Sequence, residues 1–305
     1  MDWTNSRGNW TLKILARFSD FSQSKMTMTI MTMTLTKMPI QLFHVDAFTD
    51  RPFRGNPAAV CPLQEWLDDE LLLKVAAENN LSETAFFVPR GEHGVKHYDL
   101  RWFTPRCEVR LCGHATLAAA YVLLNLLQPG FQTVRFETRL SGPLTVSKDG
   151  EKLAMDFPAM LAKPCTHLPE ALIQGLQRAP RPSNLLEAND TYVAVYENQA
   201  AIQNIRPDFA RLEELHPFAV AVTAPGDESD FVSRYFAPSY GIPEDPVTGS
   251  SHCVLTPYWT ERLGKTHLYA RQLSERGGEL WCEMAGERVV IKGNAVLTLQ
   301  GTLHI

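Results

Sequence analysis

The sequence predicts an α+β protein of two similar halves, each with a central helix inside a curved sheet. Two segments, 117–127 and 252–263, are largely apolar at helical length, so both helices should be buried. Each follows a glycine in a polar turn, Gly113 and Gly249, and these glycines are 249 − 113 = 136 residues apart. Residues 38–305 number 268, and half of that is 134, so the spacing indicates an internal duplication.

The remaining strands are predicted from apolar runs bounded by turn residues, and one further helix from a stretch whose apolar residues have helical spacing. In the first half, the predicted strands are 40–48, 58–61, 84–88 and 98–103, and the helix is 68–78. In the second half, the predicted strands are 153–157, 192–195, 220–223, 230–236, 279–282, 289–292 and 295–299. A turn at 147–150 divides the halves, so we predict domains at 38–149 and 150–305, with the last strand returning to the first domain.

The first 37 residues differ from the rest of the chain. They contain five basic and two acidic residues, and six of the nine methionines lie in residues 1–38. No apolar stretch is followed by a small-residue cleavage site. We expect residues 1–37 to be a disordered extension that adds nothing to the core, with Met38 as the working start.

The composition of the 305-residue chain excludes several classes of protein. Hydrophobic residues make up 45% and charged residues 21%, as in soluble globular proteins. The net charge of −5 provides no basic surface for nucleic acid, and no apolar run reaches the roughly 18 residues of a membrane span. The six cysteines form no C-x-x-C pair, so we predict no metal site and reduced thiols in the cytoplasm.

The usual cofactor and hydrolase motifs are also absent from the sequence. It contains no glycine-rich dinucleotide or P-loop pattern, no G-x-S-x-G and no H-E-x-x-H. A nucleotide cofactor, serine hydrolysis through a nucleophile elbow and zincin chemistry therefore lack their usual sequence support.

Three short clusters remain as candidates for chemistry. In the first, Glu83 opens an apolar strand, where a carboxyl group against hydrophobic side chains is suited to proton transfer. The residues alone favour the simpler interpretation, a glutamate at the end of a strand in water. The second cluster is Cys112-Gly113-His114, where the glycine allows a ligand close to a helix N-terminus whose N–H groups bind anions. A histidine that only packs at the helix start is equally compatible with this pattern.

The third cluster, residues 244–252, supplies a second helix N-terminus with Asp245 before a proline and with several hydroxyl groups. If the halves are related by pseudo-symmetry, the two helix starts face each other across a cleft. Such a cleft could hold an anionic substrate between two sets of backbone donors. The arrangement would suit removal of a proton beside a carboxylate and its return elsewhere on the substrate.

Five motifs resemble the PhzF-like family of phenazine-biosynthesis-type isomerases. They are HVDAFTDRPFRGNPA (44–58), NLSETA (80–85), RWFTP (101–105), CGHAT (112–116) and EDPVTGS (244–250). The likeness keeps this order over nearly all of residues 38–305. It implies the diaminopimelate-epimerase-like fold, with two pseudo-symmetric domains, each a curved, mostly antiparallel sheet around a central helix.

The resemblance also implies a function, a cofactor-independent isomerase that moves a proton on a small carboxylate-bearing substrate, cyclic compounds included. Glu83 would shuttle the proton, and His114 and Asp245 would line the same pocket as catalytic residues. Gly113, Gly249, Ser250 and Ser251 would bind the substrate. Members of the family are typically homodimers, and no metal is implied.

The sequence departs from the phenazine enzyme at Cys112 and at Ser251-His252, so the phenazine substrate itself is not implied. Cys112-Gly113-His114 also resembles the thiol motif of proline racemases and diaminopimelate epimerases, which use two opposed thiols. No cysteine lies near Asp245, and Cys253 falls within the following helix, so Cys112 is predicted to be a packed thiol. A cysteine-dependent racemase and a non-catalytic binding protein on the same fold are the alternatives.

Overall fold

The computed structural model describes residues 39–91 and 96–305, so the predicted extension of residues 1–37 lies outside the described residues. The strands are β1 (Ile40–Ala47), β2 (Asn56–Pro62), β3 (Glu83–Pro89), β4 (His97–Phe103), β5 (Glu108–Val109), β6 (Thr133–Thr138), β7 (Gly142–Asp149), β8 (Lys152–Pro158), β9 (Lys163–Pro164), β10 (Leu176–Gln177), β11 (Asn184–Ala188), β12 (Thr191–Val195), β13 (Arg206–Pro207), β14 (Ala219–Pro225), β15 (Phe231–Ala237), β16 (Ile242–Asp245), β17 (His267–Gln272), β18 (Gly278–Ala285), β19 (Arg288–Gly293) and β20 (Ala295–Leu303).

Six α-helices accompany these strands in the described part of the chain. They are α1 (Asp69–Asn79), α2 (Gly113–Tyr121), α3 (Glu170–Gly175), α4 (Gln199–Asn204), α5 (Phe209–Glu213) and α6 (Gly249–Leu263). A π-helical segment, Val122–Leu127, continues α2, and Pro238–Tyr240 forms a single 3₁₀ turn. None of the helices within residues 39–91 and 96–305 is long and apolar enough to cross a membrane.

The strand pairings of the first half recur in the second half in the same order. In the first half, β1 and β2 are antiparallel, β2 and β3 parallel, β3 and β4 antiparallel, and β4 and β6 parallel. The series β11, β12, β14, β15 and β17 repeats this alternation. After β6, the first series continues with β7 and β8, each antiparallel to the strand before it. After β17, the second series continues in the same way with β18 and β19. The prediction of two pseudo-symmetric α+β halves is therefore confirmed.

Two further pairings join the halves. β8 lies antiparallel to β19, and β20 lies antiparallel to β1 along the whole length of β1. The last strand of the chain thus completes the sheet that begins with the first strand. The two halves are held together by backbone hydrogen bonds as well as by side-chain packing.

The helices α2 and α6 lie in a core that draws side chains from both halves. α2 packs on β1, β2 and β3, and α6 packs on β17, β18 and β19. All residues of α2 from Gly113 to Ala120 are buried, as its apolar composition predicts. α1 covers the outer face of the first sheet and α3, α4 and α5 that of the second, each over a smaller core.

Several boundaries differ from the sequence predictions. Both buried helices begin earlier than predicted, directly at Gly113 and Gly249, where the lack of a side chain permits a close contact between the two helices. The turn predicted at 147–150 is shorter, since β7 runs through Asp149 and only Gly150 adopts a left-handed conformation (φ +62°). The strands β6, β7, β11, β16 and β17 were missed, as were the two-residue strands β5, β9, β10 and β13 and the short helices α3, α4 and α5. β6 and β17 do alternate between buried and more exposed positions, the pattern expected of strands with one buried face.

Candidate active site

The N-termini of α2 and α6 meet head to head. A Cβ atom added to Gly113 would lie 3.3 Å from the Cα of Gly249, so the two helices touch backbone to backbone at their first residues. The side chains of the N-cap residues, Cys112 and Thr248, accept no hydrogen bond from the first turn of either helix. Two positive helix ends therefore converge, an arrangement that favours a negatively charged group nearby.

Glu83 and His114 lie together beside this contact. Glu83 is the first residue of β3 and is only 7% exposed, so the simpler interpretation of a glutamate in water is wrong. β3 is a central strand between β2 and β4, which is why its first side chain is covered. His114 Nε2 lies 3.1 Å from Glu83 Oε2, within ion-pair distance. Oε2 nevertheless accepts no well-aligned hydrogen bond within the described residues, so it is a buried acceptor without a partner there.

The third predicted catalytic residue, Asp245, reaches the same cluster through an amide. The Nδ2 group of Asn56 donates to Asp245 Oδ1 at 2.7 Å and to the Val247 carbonyl at 2.9 Å, and it lies 3.1 Å from His114 Nδ1. Asn56 is fully buried at the start of β2. It was not predicted as a site residue, although it lies in one of the motifs that carry the family resemblance.

Two further residues hold Asp245 in place. The hydroxyl of Thr248 donates to Asp245 Oδ2 at 2.5 Å. Gln272 donates to the backbone carbonyl of Asp245 at 2.8 Å and accepts from the backbone N–H of Thr248 at 2.9 Å. No local pattern marks Gln272, because it lies 27 residues beyond Asp245 at the end of a strand that was not predicted. The neighbouring Glu244 does not join the cluster but pairs with Arg234.

The charges in this cluster depend on one another. Burial raises the pKa of Asp245 to about 6, against the opposing effect of His114 and with a further increase from Glu83. Burial alone opposes charge on His114, but the adjacent Cys112 and Glu83 outweigh it and hold the pKa of His114 well above its usual value. The protonation states of His114 and Asp245 are therefore coupled to each other.

The burial of Asp245 should be measurable as a stability cost. A carboxyl whose pKa is raised on folding stabilises the protein below its ordinary pKa of 3.8 and loses that contribution as pH rises through 6. The cost above pH 6 is about 3 kcal/mol. We expect Asp245→Asn to raise the free energy of unfolding by about 1–3 kcal/mol at pH 7.5, measured by urea denaturation, with the gain shrinking towards pH 4.

A matched control is Asp156→Asn, because Asp156 is a half-exposed carboxylate paired with Arg288. This substitution should change stability only slightly at either pH. A less stable Asp245→Asn protein at pH 7.5 would show that the hydrogen bonds to the carboxylate outweigh the cost of its charge.

Cys112 is also part of the cluster, but it has no opposed thiol among the described residues. Its Sγ lies 3.5 Å from His114 Nδ1, and burial, with a further contribution from Glu83, raises the pKa of the thiol to about 11. Cys253 is buried within α6 with its Sγ directed at the Gly249 carbonyl, 3.8 Å away. The two-thiol arrangement of a racemase is therefore not assembled from these residues.

The predicted substrate-binding residues lie where the helices meet, but they differ in what they offer. Ser251 is buried and its hydroxyl donates to the Thr248 carbonyl at 2.9 Å, so it is already occupied within α6. Ser250 is half-buried. His252 lies behind the site, with Nδ1 2.8 Å from the same carbonyl, and burial lowers its pKa to about 4, so it is neutral.

Glu83, Cys112 and His114 are the residues of the described chain that could hold a metal ion. One donor atom from each lies within 4.8 Å of the others. A carboxylate, a thiol and an imidazole form a donor set of the kind zinc accepts. The same three groups belong to the buried cluster described above.

Comparison with known proteins places the chain in a family. The sequence profile of the family described as phenazine biosynthesis-like protein (PhzC-PhzF) matches residues 45–301. An uncharacterised isomerase of Pseudomonas aeruginosa is 53% identical over 268 residues, which cover 88% of this chain and 100% of that protein. The crystal structure of a PhzF-family phenazine biosynthesis protein from Enterococcus faecalis matches with a TM-score of 0.82 and 43% identity, covering 88% of this chain and 100% of that one.

A more distant structure shows the fold alone. A probable proline racemase from Agrobacterium radiobacter K84 matches with a TM-score of 0.56 and 13% identity, over 87% of this chain and 93% of that one. The fold is thus shared with this probable racemase, in agreement with the predicted epimerase-like fold. On the family profile and the close relatives together, the chain belongs to the PhzC-PhzF family of phenazine biosynthesis-like proteins and is an isomerase.

Proposed function

We propose that the protein is a cofactor-independent isomerase that moves a proton between two positions of a small carboxylate-bearing substrate, cyclic compounds included. The observation that carries this proposal is the buried Oε2 of Glu83, which lies 3.1 Å from His114 and accepts no hydrogen bond within the described residues. A buried carboxylate oxygen without a well-aligned hydrogen bond is available to take a proton from a bound molecule.

The two converging helix ends support the choice of a carboxylate substrate. The substrate's carboxylate would lie against the first-turn N–H groups at Gly113 and Gly249, where backbone donors and helix dipoles favour negative charge. When the C–H bond breaks, its electron pair would delocalise into the carboxylate or a conjugated double bond, and these same donors would stabilise the added charge. The proton would pass to Glu83, which would return it to a different carbon.

His114 and Asp245 would assist without holding the transferred proton. His114, with Nε2 3.1 Å from Glu83 Oε2, would hold the carboxyl group of Glu83 in position. Asp245 would contact the polar part of the substrate, with its orientation set by Asn56 and Thr248. Six free thiols support a cytoplasmic location, and the family resemblance supports a homodimer.

Incubation in D₂O tests this proposal even while the substrate is unidentified. The full-length protein would be mixed with a library of cyclic and open-chain hydroxy- and amino-carboxylates and followed by NMR. We expect deuterium to enter at least one compound at carbon, because a proton held on a carboxyl group exchanges with solvent. An isomerised product that keeps all of its original hydrogen would instead indicate an internal shift and contradict the Glu83 relay.

A second candidate, a cysteine-dependent racemase or epimerase, rests on the position of Cys112 Sγ 3.5 Å from His114 Nδ1. Cys112→Ala separates the two functions. Loss of deuterium incorporation in this variant, with incorporation kept in Glu83→Gln, would favour the thiol mechanism.

A further inference from the structure

Arg276 connects the second half of the chain to the loop that precedes Asn56. It lies between β17 and β18, and its guanidinium donates to three acceptors in residues 46–55, the end of β1 and the connection to β2, which we call loop 46–55. Nη2 donates to Asp46 Oδ1 at 2.8 Å and to the Arg54 carbonyl at 2.9 Å, and Nε donates to the Gly55 carbonyl at 2.8 Å. Loop 46–55 is therefore held by a side chain that lies more than 220 positions later in the sequence.

Asp46, whose carboxylate pairs with Arg276, also binds the backbone of the same loop. The side chain of Asp46 is only 4% exposed, and its Oδ2 accepts from the backbone N–H of Phe53 at 2.7 Å. Burial raises the pKa of Asp46, whereas the Phe53 N–H and the Arg276 guanidinium oppose that rise. The ion pair thus compensates the buried charge of Asp46, and it also fixes loop 46–55.

The connection that carries Arg276 also touches the Asp245 turn. Gln272 binds the backbone of Asp245 and Thr248, and Ser274 donates to the Pro246 carbonyl at 2.8 Å. The Gly277 carbonyl accepts from the Gly55 N–H at 2.9 Å. Residues 272–277 consequently contact both the Asp245 turn and the loop that leads to Asn56.

We propose that Arg276 is a positioning residue that holds loop 46–55 against residues 272–277 and so sets the Asn56 amide between His114 and Asp245. Asn56 directly follows Gly55, whose N–H and carbonyl are both tied to residues 276 and 277. A displacement of Gly55 therefore moves the amide, and errors of about 1 Å at a catalytic group can cost about 100-fold in rate. The planar fork of arginine can serve three acceptors, which a lysine ammonium cannot do in the same geometry.

The signal of the Asn56 side-chain amide tests this placement directly. In full-length protein labelled with ¹⁵N-asparagine, the Asn56 NH₂ resonances would be assigned by their loss in Asn56→Ala. We expect Arg276→Ala to shift these resonances and to speed their exchange with water by about tenfold or more, because the amide no longer sits between fixed acceptors. Arg276→Lys, which keeps the charge, should produce a smaller change in the same direction.

The control is Arg288→Ala, because Arg288 also pairs with an aspartate, Asp156, but on the surface of β19 and β8. It should leave the Asn56 signal unchanged. An Arg276→Ala or Arg276→Lys protein that is folded by circular dichroism and shows the wild-type Asn56 signal would overturn the proposal. If Arg276→Ala does not fold, Asp46→Asn serves as the second variant, since it removes the same ion pair without emptying the guanidinium site.

The expected effect of Arg276 on catalysis rests on the function proposed above, whereas its expected effect on the Asn56 amide signal does not. If Glu83 proves not to transfer a proton, the Asn56 resonances can still respond to Arg276. If a substrate is found, loss of kcat with little change in KM in Arg276→Lys would link the two results.

Discussion

Replacing Glu83 by glutamine is expected to lower turnover by about 10²–10⁴-fold while changing substrate affinity little. Glutamine keeps the size and shape of the side chain in its buried position at the start of β3, but it cannot accept and return a proton. The helix ends at Gly113 and Gly249 are unaltered, so the carboxylate of the substrate should still bind. Steady-state kinetics on a substrate found in the D₂O assay would separate the two effects.

The chain offers a matched control for this experiment. Glu137 also lies beside a histidine, with Oε1 2.9 Å from His97 Nε2, but its side chain is partly exposed on the first sheet. Glu137→Gln should leave turnover unchanged. A wild-type rate for Glu83→Gln would refute the proton-transfer role, and an equal loss in both variants would point to a general effect on stability.

Gly55→Ala is expected to lower the free energy of unfolding by about 3–5 kcal/mol, a large part of the stability of an ordinary domain. Gly55 has a left-handed φ of +63°, which disfavours any residue with a Cβ atom. The added Cβ would also lie 2.1 Å from the carbonyl oxygen of Ala47, a backbone atom that cannot move without displacing β1. Chemical denaturation of the two proteins measures the difference.

Gly150→Ala measures only the part of this loss of stability that comes from the left-handed backbone conformation. Gly150 has almost the same φ, +62°, but no atom of the described residues lies within 4 Å of the position that a Cβ would take. We expect a loss of only about 1–2 kcal/mol there. Equal losses at the two positions would show that loop 46–55 relaxes around the new methyl group.

The central parts of the fold were predictable because they leave strong local signals. Two apolar segments of similar length, each after a glycine and separated by about half the core, indicate buried helices in repeated halves. The same glycines mark where the helices meet. Strands such as β17 were missed because their alternation is carried by residues such as His267, Arg271 and Gln272, which are weak strand formers by composition.

The site was predictable only in part, because its geometry depends on long-range contacts. Glu83, His114 and Asp245 were singled out from three local clusters, and the family resemblance implied that they line one pocket; the structure adds the contacts that connect them. Asn56 is 189 residues from Asp245 in sequence, and no local pattern shows that its amide joins two other candidates. The burial of Glu83 was a hypothesis that the residues alone did not favour, because it depends on strands placed on both sides of β3 by the rest of the chain.

The pairing of β20 with β1 determines when the protein can finish folding. Ile40 is paired with Leu303, which is 303 − 40 = 263 residues later, so the chain must be synthesised almost to that point before the contact forms. Until then, β1 can pair with β2 on one side while its other edge stays open, and open strand edges recruit other chains. Closing so long a loop also slows folding, because the chain loses conformational entropy before the contact between β1 and β20 stabilises it. The protein is consequently most prone to aggregate during synthesis, when the first half has been made and β20 has not.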